Sequence, residues 1–164
     1  MLHKVIYIMG VSGSGKSTIG KKLSERTGYD FYDADNFHSK ENKAKMSSGI
    51  PLTDEDRWPW LANINRFVIE KLAANNIIMV CSALKQAYRD ELNRSIETNC
   101  SWIFLRGDYD TINKRLKNRT DHYMPSILLQ SQFDALEVPV DVIYADISHS
   151  PEMIVEDIIA KLKN

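Results

Sequence analysis

The residues best placed to do chemistry run from Gly10 to Ser17, Gly-Val-Ser-Gly-Ser-Gly-Lys-Ser, which fits the phosphate-binding pattern G-x-x-x-x-G-K-S. Glycines at 10, 13 and 15 let the backbone curl and approach a ligand closely, so that successive N–H groups form an anion nest. A following helix would add the positive end of its dipole. Gly10, Ser12, Gly13, Ser14, Gly15, Lys16, Ser17 and Thr18 are therefore expected to hold the nucleotide. Lys16 would reach the β- and γ-phosphates, and the Ser17 hydroxyl would ligate Mg²⁺.

Transfer of a phosphoryl group to a hydroxyl also needs a carboxylate to take the proton and cations to hold the charge. Asp33 and Asp35 stand one residue apart, and both could face the phosphates. Asp35 is expected on the acceptor hydroxyl and Asp33 beside Mg²⁺. Arg115 and Arg119 share one helix face at i, i+4 and lead into the polar run Arg-Thr-Asp-His-Tyr-Met-Pro. Their expected use is a lid over residues 119–125, with one arginine near the adenine and the other on the phosphates. His38 and His122 are candidates for acceptor or lid contacts.

These groups must be positioned by strands and helices. Leu2 to Met9 is an apolar run suited to a buried parallel strand. Ile19, Leu23 and Arg26 continue at helical spacing toward Gly28, a C′ residue. Further strands are expected at 30–32, 77–81, 101–105 and 142–145, with helices between them. Thr53 and Asp56 resemble a capping box ahead of a helix burying Trp60, Leu61, Ile64, Phe67, Val68 and Leu72. Pro59 lies near its start or breaks off a first turn. Ser150 and Pro151 suit the N-cap and N1 of a last helix. Strands alternating with helices predict an α/β fold: a three-layer sandwich with a five-stranded parallel sheet. The candidate residues then gather outside the carboxyl ends of the strands, where such sheets bind ligands.

A chain of 164 residues with 43% hydrophobic and 26% charged residues fits one domain spanning 1–164 with a packed core. The net charge of −1 and the lack of a basic block disfavour nucleic acid or an anionic membrane as partner. No apolar run approaches membrane-spanning length, and no secretory leader is read. Cys81 and Cys100 are expected as reduced thiols in a cytoplasmic protein. The third strand ends in Cys81-Ser82 without a carboxylate, which argues against motor and transporter ATPases. No Asn-Lys-x-Asp run follows a strand, which lowers a GTPase reading.

Nearly end to end, the chain resembles the gluconokinases among the P-loop small-molecule kinases. The resemblance rests on the phosphate loop, Asp33 to His38, Met46-Ser-Ser-Gly-Ile-Pro-Leu-Thr-Asp-Glu-Asp-Arg-Trp-Pro-Trp-Leu61, Cys81-Ser-Ala-Leu-Lys85, Tyr88-Arg89, Arg115-Leu116, Arg119, His122-Tyr123 and Ser131-Gln-Phe133 to Glu137. Shikimate kinases share the architecture, but a Gly-Gly-Gly turn is expected after their third strand, where this chain has Ser-Ala-Leu-Lys. The resemblance implies ATP- and Mg²⁺-dependent phosphorylation of D-gluconate in a cytoplasmic homodimer. It implies catalytic roles for Lys16, Asp35 and Arg119. Substrate contacts are implied at Asp35, His38, Arg57, Lys85, Arg89 and Gln132. Arg57, Lys85 and Arg89 are alternatives for the acceptor carboxylate, with Arg57 favoured because its fork matches a planar anion. Two departures stand out: Ser39 where the family usually has proline, and Asn93 where an arginine often closes the Tyr-Arg run. Other readings are a shikimate or nucleoside monophosphate kinase, or a nucleotide-binding module without turnover.

Overall fold

A computed structural model describes residues 2–119 and 126–164. The expected lid, with His122, lies outside the described residues except at Arg119. The strands are β1 (Val5–Met9), β2 (Asp30–Asp33), β3 (Ile77–Val80), β4 (Cys100–Arg106) and β5 (Ile143–Asp146). They form one five-stranded sheet in the order β2-β3-β1-β4-β5. All four pairings are parallel, with Val5 opposite Ile77 on one side of β1 and Cys100 on the other. β1 is thus central, and the chain winds first to one side of it and then to the other.

Alternation along the strands makes two cores. Tyr7, Met79 and Phe104 join one cluster, while Ile6, Ile8, Ile78 and Ile103 join the other. Helices α1 (Lys16–Thr27), α2 (Lys40–Ser47), α3 (Asp54–Lys71), α4 (Gln86–Asn93), α5 (Tyr109–Lys117), α6 (Ser126–Ala135) and α7 (Pro151–Leu162) complete the layers. The first core takes Leu61, Ile64 and Val68 of α3 with Tyr88 and Leu92 of α4. The second takes Leu23 of α1, Leu116 of α5, Leu129 of α6 and Ile158 of α7. Among the described residues no helix is long and apolar enough to cross a membrane.

The local signals operate as read. Gly28 closes α1 in a left-handed conformation, its N–H donating to Ser24 O. Both halves of the capping box are made: Asp56 N donates to Thr53 Oγ1 at 3.1 Å, and Thr53 N to Asp56 Oδ2 at 2.9 Å. α3 runs through Pro59 without a separate first turn. Pro59 and Glu55, the residue whose carbonyl it leaves without an N–H donor, are both exposed. Ser150 Oγ accepts from Met153 N, and Pro151 opens α7. β1 starts three residues later and β3 ends one residue earlier than the apolar runs suggested, β5 is shifted one residue on, and β2 and β4 extend beyond the expected spans. α4 ends at Asn93 and is followed by a 3-10 turn at Glu97–Asn99.

Candidate active site

The phosphate loop joins β1 to α1. Gly15 is the helix N-cap with φ 99°, a left-handed conformation that favours glycine. A Cβ at Gly13, with φ 81°, would lie 2.8 Å from the Leu116 side chain, so α5 packs directly on the loop. The Lys16, Ser17 and Thr18 amides begin the helix and have no intrahelical acceptors. Lys16 Nζ donates to Gly10 O and Val11 O, both at 3.0 Å, which folds the side chain over the loop. Burial pushes its ammonium pKa down, opposed by the charges of Asp35 and then Asp33.

A cleft of about 130 Å³ opens here. It is lined by Ser12, Gly13, Gly15, Lys16, Ser17 and Thr18 of the loop and helix start, together with Asp33, Asp35, Cys81, Ser82 and Arg119. The sheet order explains the meeting: β2, β3 and β1 are neighbours, so the segments leaving their carboxyl ends converge. Ser17 Oγ lies 3.4 Å from Asp33 Oδ2, while Asp33 Oδ1 accepts from Asp35 N at 2.9 Å. Asp33 therefore caps the 3-10 turn Ala34–Phe37 that carries Asp35. Burial pushes the Cys81 thiol up to about 12, so it stays protonated in the cleft wall.

Two residues expected to touch the nucleotide sit differently. The Ser14 hydroxyl is turned inward beneath Gly10, where an added Cβ would be 2.6 Å away. It is buried and has no hydrogen-bond partner among the described residues, and its N–H is taken by Val11 O at 3.2 Å. Arg115 donates to Ile147 O, which ties α5 to the segment after β5.

The residues expected on the acceptor side form a network of their own. His38 is buried and stacks on Trp60 with ring centroids 4.1 Å apart. Burial, then the Arg57 and Lys43 charges, push its pKa down to about 4, so the ring is neutral near pH 7. Its Nε2 faces Asp35 Oδ1 at 4.0 Å. Arg57 donates to Leu52 O at 2.7 Å and to the Tyr88 hydroxyl at 3.3 Å. Lys85 Nζ is 3.3 Å from Asp54 Oδ1, and the Tyr88 hydroxyl donates to that same oxygen. Arg57 and Lys85 both lie over the Tyr88 ring, at 5.4 and 5.6 Å from its centroid.

Arg89 and Gln132 require correction. Arg89 is buried, and its guanidinium donates to Ala83 O at 2.7 Å, Glu137 O at 2.8 Å and Gln86 Oε1 at 3.2 Å. Ala83 has φ 45°, an uncommon conformation for a residue with a Cβ, so Arg89 braces a strained turn rather than presenting charge to an acceptor. Gln132 lies on the phosphate loop instead of the acceptor side. Its Oε1 accepts from Ser12 N at 2.7 Å, and its Nε2 donates to Ser12 Oγ at 3.0 Å.

Known proteins match this arrangement along nearly its whole length. The family model described as shikimate kinase matches residues 12–163. A probable gluconokinase of Dictyostelium discoideum is 46% identical, covering 97% of this chain and 86% of its own. A gluconokinase of Arabidopsis thaliana is 42% identical, covering 98% of this chain and 93% of its own. The crystal structure of a gluconokinase from Sinorhizobium meliloti 1021 superposes with a TM-score of 0.88 at 43% identity, covering 99% of this chain and 93% of that one. The chain belongs to the gluconokinase family. It also falls within the wider group that the shikimate kinase model describes.

Both departures from the gluconokinase pattern have structural uses. Ser39 caps α2, its Oγ accepting from Asn42 N at 3.1 Å. Asn93 Oδ1 accepts from Trp102 Nε1 at 2.9 Å, a packing contact on the first core. Asp54, Tyr88 and Asn42 were missed as members of the acceptor-side network. The signals available were modest: Asn42 lies four residues beyond His38, and Asp54 opens a capped helix.

Proposed function

We propose that this protein transfers the γ-phosphoryl group of ATP to the terminal hydroxyl of D-gluconate, giving 6-phospho-D-gluconate and ADP. The observation that carries this reading is the cleft in which Lys16, Ser17, Asp33, Asp35 and Arg119 meet. The names of its relatives supply the acceptor.

The loop amides and the start of α1 hold the phosphates. Lys16 exchanges the Gly10 and Val11 carbonyls for β- and γ-phosphate oxygens and stabilises charge on the group in flight. Asp35 orients the acceptor hydroxyl and takes its proton as the new O–P bond forms. The bond from phosphorus to the ADP oxygen breaks, and ADP leaves with the electron pair. Arg119, which lines the same cleft, adds positive charge.

Ser17 and Asp33 suit Mg²⁺: both are hard oxygen donors, and they stand 3.4 Å apart. Among the described residues no group of three or more His, Cys, Asp or Glu side chains forms a metal cage. A magnesium site completed by phosphates and water needs none. When bound there, Mg²⁺ neutralises charge on the β- and γ-phosphates. Arg57, beside His38, is the favoured partner of the gluconate carboxylate, with Lys85 and His38 on hydroxyls. The reading extends to a cytoplasmic homodimer, as the sequence resemblance implies.

ADP release across gluconate, shikimate and nucleoside monophosphates tests the proposal. Gluconate should give the highest kcat/KM, and chelation of Mg²⁺ should stop the reaction. A preference for shikimate would move the protein to the other activity named by its family model.

A further inference from the structure

The hydrogen bonds around His38 have a direction that can be read from geometry. Asn42 Nδ2 lies 3.0 Å from Asp56 O and 3.3 Å from His38 Nδ1. A backbone carbonyl only accepts, so the Asn42 atom facing it is the amide nitrogen. That nitrogen carries two hydrogens. One goes to Asp56 O, and the other points at Nδ1. Nδ1 therefore accepts, and the proton of the neutral ring sits on Nε2.

The surroundings fix this ring. It is 8% exposed and lies flat on Trp60, with 16° between the planes. Arg57 of α3 and Lys43 of α2 disfavour a second proton, and Asp35 faces Nε2 from the 3-10 turn after β2. The 4.0 Å from Nε2 to Asp35 Oδ1 is too long for a direct hydrogen bond. It does suit a single bridging oxygen about 2.8 Å from each, with an angle of roughly 90° at that oxygen. An alcohol meets both partners: it accepts from Nε2–H, donates to Asp35 and keeps a lone pair for phosphorus.

We propose that Asn42 is a positioning residue for phosphoryl transfer, holding His38 as the Nε2–H tautomer so that His38 and Asp35 offer one donor and one acceptor to the same acceptor hydroxyl. Asn42 is buried and touches His38 and the backbone of α3, and it acts through His38. The inference rests on the reading that Asp35 is the acceptor-side carboxylate.

The test has two arms. In ¹⁵N-labelled full-length protein at pH 7, long-range ¹H–¹⁵N correlations of the histidine rings report the tautomer, with His38 assigned by its loss in His38→Gln. The expected result is a neutral Nε2–H ring. An Nδ1–H ring or an imidazolium overturns the proposal, and this arm needs neither ATP nor an acceptor. In the second arm, Asn42→Asp keeps the side-chain shape but offers Nδ1 only an acceptor. His38 should then carry its proton on Nδ1, and kcat with gluconate should fall about 10- to 100-fold, as expected for a lost hydrogen bond to a charged group. The KM for ATP should stay unchanged. A folded Asn42→Asp enzyme with wild-type kcat overturns the proposal. If Asn42→Asp does not fold, the wild-type spectrum decides alone. Wild type that shows Nε2–H but is inert toward gluconate supports the tautomer and counts against the gluconate reading instead.

Discussion

The two walls of the proposed site are built from different material. On the nucleotide wall the ligand-facing groups are mostly backbone: loop amides, the first turn of α1 and a left-handed Gly15, with Lys16 bent over them. On the proposed acceptor wall the polar groups are side chains, already joined to one another: His38 to Asn42, Arg57 to Tyr88, Lys85 to Asp54. A backbone nest is fixed by eight consecutive residues and accepts any polyphosphate of the right size. A side-chain network depends on which helices pack together, here α3 with α4, and can be retuned one residue at a time. On the proposed reading, chemistry common to many kinases would reside on the first wall and choice of acceptor on the second.

Substitutions on each wall should therefore fail in different ways. Lys16→Ala should have the largest effect, a loss of turnover on the order of 10³-fold with nucleotide still bound. Calorimetric titration with ATP separates the two, and near-normal turnover in the folded variant would contradict the role of the nucleotide wall. Asp35→Asn comes next. It keeps the shape but cannot take a proton, and about a 10²-fold loss in kcat is expected with ATP binding little changed. Should Asp33→Asn prove crippling and Asp35→Asn mild, the roles of the two carboxylates are reversed.

Arg57→Ala should sharpen the contrast by acting on one substrate only. Loss of its charge should weaken gluconate binding by about 2 kcal/mol, the low end for truncating one partner of a buried charge pair, because Lys85 remains nearby. Initial rates with gluconate, ATP and glucitol, which lacks the carboxylate, give the comparison. Equal use of glucitol and gluconate by wild type would remove carboxylate recognition from the account.

The smallest effect concerns pH. His38 titrates at about 4 in the folded protein, below the ordinary value of 6.5. The unfolded chain therefore binds more protons between those values, and stability rises with pH across that window. Acidifying from pH 6.5 to 4 should lower the melting temperature, and His38→Gln should flatten that part of the profile. A profile identical in wild type and variant would mean that the ring is not held neutral.

The same division explains how much was legible in the sequence. Ser12, Gly13, Gly15, Lys16 and Ser17 and the Asp33–Asp35 pair, which line the cleft, could be read because they come from short contiguous segments at strand ends, whereas the inward turn of Ser14 could not. The caps at Thr53 and Ser150 were legible for the same reason: each is a contact across three residues. Gln132 was misplaced because its partner Ser12 lies 120 residues away, and only the docking of α6 on the loop brings them together. Arg89 looked like a free cation because nothing local signals that Ala83 O and Glu137 O will close around it. Asp54 read as the first residue of a capped helix, which it is. That it also holds Lys85 and Tyr88 depends on α4 packing beside α3.

The central claim is transfer to an alcohol oxygen of gluconate rather than to water or to no acceptor. ³¹P NMR of wild-type protein with ATP, Mg²⁺ and gluconate tests it most directly. The account predicts that the ATP resonances give way to ADP and to one phosphomonoester, split into a triplet by the two protons of a terminal CH₂ group. Appearance of ADP with inorganic phosphate alone, or no change in the ATP signals, would contradict it.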